Sequence, residues 1–170
     1  MVIEEFFVSA ERNPLPRVDE LIAFLQANRL VRHLAPDEIA ELIYIAQVVR
    51  VHPEETVVRR GEPGDAWYLL YEGKLSVYVE QNKLAELHPG ECFGELSIFD
   101  GEPRSASVIS EKPGILIRIP KAGFAQLLEA NSLAAYKTVL ALTQVVTKRL
   151  RTLVADELPI DVEFSAGGDE

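Results

Sequence analysis

The sequence has a single cysteine, Cys92, among its 170 residues. One thiol excludes an intrachain disulfide and a zinc site built from several cysteines. Cys92 stands between Glu91 and Phe93 in a strand-like segment, so we expect its side chain to pack in the interior. A reactive thiol is the alternative.

Histidine is also scarce, and the familiar catalytic motifs are missing. The three histidines, His33, His52 and His88, stand apart and form no His-x-His pair. A cupin-type metalloenzyme on a β-roll would need several imidazoles and a carboxylate around one metal ion. The sequence also lacks a Gly-x-Ser-x-Gly elbow, a phosphate-binding P-loop and a Cys-x-x-Cys pair. We therefore expect no enzyme, no catalytic residue and no metal site.

Basic residues are fewer than acidic residues in this sequence. The chain has 17 lysines and arginines against 27 aspartates and glutamates, a formal net charge of −10 at pH 7. Such an acidic surface disfavours nucleic acid and anionic membranes as partners and leaves proteins as the expected ones. Residues 1–13 lack the basic flank and the long apolar core of a signal peptide or a membrane span. A cytoplasmic location is the resulting expectation.

Two short amphipathic helices are predicted near the N-terminus. Apolar residues at helical spacing indicate the first helix over residues 18–29, after a loop that contains Pro14 and Pro16. Pro36 and the two acidic residues after it suit the first turn of a second helix over residues 36–47. We expect the first helix to dock against the main body.

Beyond the second helix, the apolar pattern changes from helical to β. Short β-rich runs recur between turn signals that contain glycine or proline. The predicted strands are residues 48–51, 56–58, 67–71, 75–79, 84–87, 105–109 and 115–119. Short strands at such regular intervals predict a β-barrel or a jelly-roll sandwich. The β-rich region ends near Pro120, and a short helix is predicted over residues 121–130.

A long C-terminal helix is the next feature. Ser132 can cap a helix that runs to about residue 156 without an internal proline or glycine. Its apolar residues cover more than one stripe, so one face can pack on the body while another meets a partner helix. A spacing of alternating four and three residues, as in a coiled-coil seam, links Tyr136, Leu140, Thr143, Thr147, Leu150 and Val154. This seam predicts a homodimer. Lys148, Arg149 and Arg151 lie in the last turns of this predicted helix, and we interpret them as capping charges that complement the helix dipole and not as a nucleic-acid patch.

The most informative segment is residues 93–108, FGELSIFDGEPRSASV. It places one carboxylate, Glu95, and one guanidinium, Arg104, around a tight turn between two strand-like runs. Arg104 offers a planar, permanently charged fork that matches a phosphate, and backbone N–H groups opening a short helix after Gly94 can add donors. Glu95 can accept hydrogen bonds from sugar hydroxyls. The simpler alternative is an ordinary ion pair between Glu95 and Arg104.

This segment resembles, without insertion or deletion, the phosphate-binding cassette of cyclic nucleotide-binding domains. Such domains occur in catabolite-activator-type regulators, protein kinase A regulatory subunits and cyclic-nucleotide-gated channels. The resemblance extends over residues 34–154 and implies an α+β, mainly β fold. That fold is a double-stranded, jelly-roll-like β-roll of eight strands, with N-terminal helices and a long C-terminal helix. The helix-turn-helix output domain of catabolite-activator-type regulators has no counterpart in the sequence.

The resemblance also implies a role for each cassette residue. Glu95 corresponds to the glutamate that accepts a hydrogen bond from the ribose 2′-hydroxyl, and Arg104 to the arginine that pairs with the cyclic phosphate. Gly94 and Leu96 match positions that supply backbone donors and turn geometry. Ser105 stands where a hydroxyl can reach the phosphate or a guanine edge, although a small residue there is also an ordinary packing choice.

In this family the C-terminal helix closes over the base of the ligand. The resemblance therefore makes Thr143 and Thr147 candidates for base contacts, against the alternative that both are ordinary polar seam residues. It implies a regulatory sensor module of signal transduction that binds a cyclic nucleotide, with cyclic AMP favoured over cyclic GMP. The ligand repositions the C-terminal helix for a protein partner that the sequence does not name. The alternative is a dimeric interaction scaffold that has lost its ligand, which the retained Glu95 and Arg104 disfavour.

These expectations divide the chain into four segments. Residues 1–33 form an N-terminal helical extension, residues 34–132 the nucleotide-binding β-roll, residues 133–157 the C-terminal helix and residues 158–170 a flexible tail. The start at Met1 and the polar tail favour a complete small protein, while a fragment of a longer one stays an alternative.

Overall fold

The computed structural model describes residues 15–157, so the tail predicted for residues 158–170 lies outside the described part. Two helices come first, α1 (Val18–Ala27) and α2 (Pro36–Ile45). Each starts with a glutamate in its first turn whose side chain accepts a hydrogen bond from the backbone N–H just before the helix. This contact satisfies a donor that the helix itself cannot use. Both helices were predicted, and both end two residues earlier than expected.

Eight strands follow and form two four-stranded antiparallel sheets, in the orders β1-β8-β3-β6 and β2-β7-β4-β5. The strands are β1 (Gln47–Val51), β2 (Thr56–Val58), β3 (Ala66–Glu72), β4 (Leu75–Val79), β5 (Asn82–Leu87), β6 (Cys92–Phe93), β7 (Ser107–Ser110) and β8 (Gly114–Pro120). This arrangement confirms the mainly β, jelly-roll-like β-roll with N-terminal helices and a long C-terminal helix.

The two faces of the first sheet are buried against different partners. Along β3, Tyr68 and Leu70 point into the roll, whereas Trp67 and Leu69 point outward and pack under the helices. Because successive side chains of a strand alternate between faces, one apolar strand contributes to both cores. The helices are therefore held on the outside of the roll by an apolar layer of their own.

Three further helices complete the described chain. Helix α3 (Leu96–Phe99) is a single turn inside the segment 93–108, α4 (Lys121–Glu129) follows the last strand, and α5 (Leu133–Glu157) is the long C-terminal helix. The hydroxyl of Ser132 accepts a hydrogen bond from the backbone N–H of Ala135 at 3.2 Å, which confirms the predicted cap. Near its start, α5 is tied to α2 by the Lys137 ammonium, 2.7 and 2.8 Å from the two carboxylate oxygens of Glu38.

Candidate functional site

The site is built on residues 93–108, which we call the cassette. Strand β6 pairs with β3 and delivers the chain to Gly94, whose φ of +77° lies in the left-handed region. A Cβ at this position would lie 2.6 Å from Nη1 of Arg104. Glycine is therefore required both by the backbone conformation and by the close approach of the arginine.

Arg104 is 5% exposed, and its hydrogen bonds go to uncharged oxygens. Nη1 donates to the Gly94 carbonyl at 2.8 Å and to the Ser97 hydroxyl at 3.0 Å, and Nη2 donates to the Ala66 carbonyl at 2.7 Å. The guanidinium also lies over the ring of Tyr68, 5.8 Å from its centroid. Burial lowers the pKa of Arg104, because removal from water destabilises the charged form.

One carboxylate approaches the Arg104 guanidinium. An oxygen of Asp65 lies 3.5 Å from Nη2, but the Asp65 side chain is 69% exposed and its other oxygen is only 2.6 Å from Arg118. Asp65 therefore compensates the Arg104 charge only weakly. Neither Asp65 nor Arg118 was predicted from the sequence as part of this site. The sequence offered only a weak signal for Asp65, namely an acidic residue in the turn just before β3.

Glu95 is 2% exposed, and its partner comes from α5. Oε1 of Glu95 lies 2.6 Å from Nη1 of Arg149, and Nη2 of Arg149 donates to the Cys92 carbonyl at 2.5 Å. Between residues 15 and 157, Glu95 and Arg104 form no ion pair with each other. The simple alternative of an internal Glu95–Arg104 pair is therefore wrong.

The interpretation of Lys148, Arg149 and Arg151 as last-turn charges is also wrong. Helix α5 continues to Glu157, and its last turn contains no basic residue. Arg149 instead lies on the face of α5 that packs on the body, four residues after the half-buried Val145. The helical period of the apolar residues was the signal that could have placed Arg149 on this inner face.

The other predicted site residues lie at the edge of the cassette or on the outside of α5. Leu96 begins α3 and Ser105 follows Arg104, and both are exposed. Thr143 and Thr147 are also exposed, and their hydroxyls donate to backbone carbonyls four residues earlier, at 2.9 and 2.8 Å. The structure thus brings Gly94, Glu95 and Arg104 together, whereas ligand contacts from the threonines and Ser105 stay predictions.

Residues 15–157 contain no group of three or more His, Cys, Asp or Glu side chains arranged to hold a metal ion. No helix in this range combines the length and the hydropathy needed to cross a membrane.

Comparison with known sequences points to one family. The family model described as the cyclic nucleotide-binding domain matches residues 48–131. Among curated proteins, a cAMP-dependent protein kinase regulatory subunit from Blastocladiella emersonii is 30% identical over 130 residues, which cover 71% of this chain and 32% of that protein. The chain spans between 26% and 34% of the length of the curated relatives compared.

Solved structures show the same fold. A cyclic nucleotide-binding domain from Methylobacillus flagellatus matches with a TM-score of 0.71 and 25% identity, over 83% of this chain and 82% of the other. The catabolite activator protein of Thermus thermophilus matches with a TM-score of 0.64 and 27% identity, over 75% of this chain and 60% of the other.

Proposed function

This chain carries a domain of the cyclic nucleotide-binding family over residues 48–131, and on that premise we propose that it is the sensor part of a regulatory protein. Its ligand is a cyclic mononucleotide, with cyclic AMP preferred over cyclic GMP. The preference rests on relatives whose names specify cAMP dependence, at 30 to 34% identity. Arg104 binds the cyclic phosphate, and Glu95 accepts a hydrogen bond from the ribose 2′-hydroxyl.

The observation that carries this proposal is the environment of Arg104. Its guanidinium is almost completely buried, its three hydrogen bonds go to uncharged oxygens, and its one nearby carboxylate is shared with Arg118. A buried charge that is only weakly compensated is costly, and binding an anion reduces that cost. No hydrogen bond from Nε is formed within the described chain. The Nε–H group at the edge of the planar guanidinium can therefore donate a hydrogen bond to a phosphate oxygen.

The output of the module is the position of α5. Arg149 connects this helix directly to the cassette. A ligand that contacts Glu95 therefore binds next to the contact between α5 and the β-roll. A change in the docking of α5 then alters the surface that a protein partner meets.

A second candidate function is an interaction scaffold without a ligand. It is favoured because Glu95 and Arg104 already have partners within the chain. Arg149 forms an ion pair with one carboxylate oxygen of Glu95, and the Arg104 guanidinium donates hydrogen bonds to uncharged oxygens. In that case the exposed apolar residues of α5 form the surface that binds a partner, and the cassette only stabilises the fold.

Calorimetry with cyclic AMP, cyclic GMP and linear AMP separates the two candidates. We expect Arg104→Lys to bind cyclic AMP at least about tenfold more weakly, because lysine keeps the charge but loses the paired donor geometry. The matched control is Arg50→Lys at an exposed position of β1, which should bind like the wild type. The melting temperature of each variant without ligand reports whether it folds.

Thermal unfolding gives an independent measure. Cyclic AMP at about a hundredfold excess over its Kd should stabilise the wild type by about 2.7 kcal/mol, which corresponds to a rise in Tm of about 5 to 10 °C. Linear AMP should raise the Tm much less, because its open phosphate carries an additional charge. Equal shifts with both nucleotides, or no shift with any, would contradict the proposal, and the second result favours the scaffold.

A further inference from the structure

Arg149 is the polar anchor that holds the second half of α5 on the cassette. The apolar contacts of α5 with the body come from earlier residues, such as Ala141, Leu142 and Val145. Arg149 then bridges the cassette and the strand residue just before it, with Nη1 on the Glu95 carboxylate and Nη2 on the Cys92 carbonyl. A single guanidinium thus joins the helix to both the strand end and the proposed ribose site.

The buried charge of Glu95 explains why a cation is needed at this contact between α5 and the cassette. Glu95 is buried, and among residues 15–157 Arg149 is the one cation within ion-pair distance of its carboxylate. Removing the partner of a buried charge is strongly destabilising, because the remaining charge is left without compensation. The pair uses only Oε1, and within the described chain no hydrogen bond reaches Oε2 of Glu95.

We propose that Arg149 is a positioning residue for the ribose of the nucleotide. It compensates the charge of Glu95 and fixes the carboxylate so that Oε2 stays available to the ligand's 2′-hydroxyl. A hydroxyl is an uncharged donor and cannot replace the cation, so Arg149 stays in place when the ligand binds. Nucleotide binding and the docking of residues 146–157 then stabilise each other, since a coupling between two sites is reciprocal. This inference rests on the proposed function.

The test compares cyclic AMP with 2′-deoxy cyclic AMP by calorimetry. We expect the wild type to prefer the ribose form by about tenfold or more, the usual effect of a hydrogen bond to a charged group. In Arg149→Ala we expect cyclic AMP to bind at least about tenfold more weakly and the preference for ribose to fall toward unity. Arg151→Ala removes the same charge from an exposed position of α5 and should change neither quantity.

Arg149→Lys provides a graded comparison. It keeps the positive charge but cannot bridge the carboxylate and the Cys92 carbonyl with one planar group. We expect an affinity and a ribose preference between those of the wild type and Arg149→Ala. Hydrogen exchange of the ligand-free variants supplies a second readout, with a larger loss of protection over residues 146–157 than in the β-roll in Arg149→Ala.

Three results would overturn the inference while leaving the proposed function intact. Tighter binding by Arg149→Ala would show that Arg149 competes with the ligand for Glu95. Weaker binding with an unchanged ribose preference would show that Arg149 only supports the helix, and wild-type behaviour would show that it has no role. If the wild type binds no cyclic nucleotide, the proposed function fails as well. Faster exchange in Arg149→Ala would then identify the pair as a docking contact alone.

Discussion

At the scale of a single residue, Cys92 shows how the surroundings of a side chain determine its chemistry. Cys92 is 3% exposed, and burial, assisted by the nearby Glu95 carboxylate, raises the pKa of its thiol to about 12. Both effects disfavour the thiolate, which is the reactive form. The structure thus supports the packing role expected from the sequence.

We therefore expect Cys92 to resist thiol reagents in the folded protein. At pH 8, labelling by Ellman's reagent should be at least about a hundredfold slower in the native protein than in urea, because so little thiolate is present. The unfolded chain is the internal control, since it contains the same single thiol in water. Rapid labelling of the native protein would show that the cassette opens or that the thiol is not buried.

At the scale of an element, α5 presents an apolar seam to solvent. Leu140 is 65% exposed and Leu150 is 58% exposed, and Tyr136 and Val154 extend the same stripe. Together with Thr143 and Thr147, these four residues follow the alternating spacing of four and three residues of a coiled-coil seam over about 27 Å of helix. We predict that a second copy of the chain, related by a two-fold axis, covers this stripe with its own identical stripe.

We expect the wild type to be a homodimer and the double variant Leu140→Glu with Leu150→Glu to be a monomer. The two glutamates place like charges in the seam without touching the cassette, so nucleotide binding should persist. Thr152→Glu with Ala155→Glu adds the same charge at exposed positions outside the seam and should remain dimeric. Sedimentation measures all three, and a wild-type monomer at tens of micromolar, an order-of-magnitude working concentration, would rule out the dimer.

At the scale of the whole molecule, a charged cluster on the second sheet links stability to pH. Lys83 lies 2.7 Å from carboxylate oxygens of both Glu86 and Glu111, and Lys74 lies 2.7 and 3.2 Å from the same two residues. Ser76 also donates to Glu111. The hydrogen bond from Lys83 is the largest cause that lowers the pKa of Glu111 from 4.5 to about 2.

This lowered pKa predicts the direction of acid sensitivity. The contribution of Glu111 to stability is present above pH 4.5, where the unfolded chain is also ionised, and is lost as the pH falls toward about 2. Glu111→Gln should unfold more easily at pH 7 and lose less stability between pH 4.5 and 2 than the wild type does. Urea unfolding across this range measures both effects, with Glu129→Gln at the exposed end of α4 as the control. Parallel pH profiles for wild type and Glu111→Gln would contradict the assignment.

Much of this architecture could be predicted from local patterns. Strands β2 and β4 have the predicted bounds, the cap by Ser132 is present, and a one-turn helix follows Gly94. Each of these features depends on neighbours in the chain, through alternation, helical period or the chemistry of one turn. The ends of α1 and α2 were less accurate, because helix ends depend on what each helix packs against.

By itself, the sequence determined a β-barrel or jelly-roll sandwich and a long C-terminal helix, because short-range periodicity and turn chemistry specify them, and its resemblance to a known family identified the cassette of residues 93–108. Only the tertiary structure decided the partners of the charged residues. Arg149 meets Glu95 across 54 residues, and Arg104 meets the Ala66 carbonyl across 38. Such contacts follow from how a helix lies on a sheet, and that packing is the sum of many weak apolar contacts that no local pattern records.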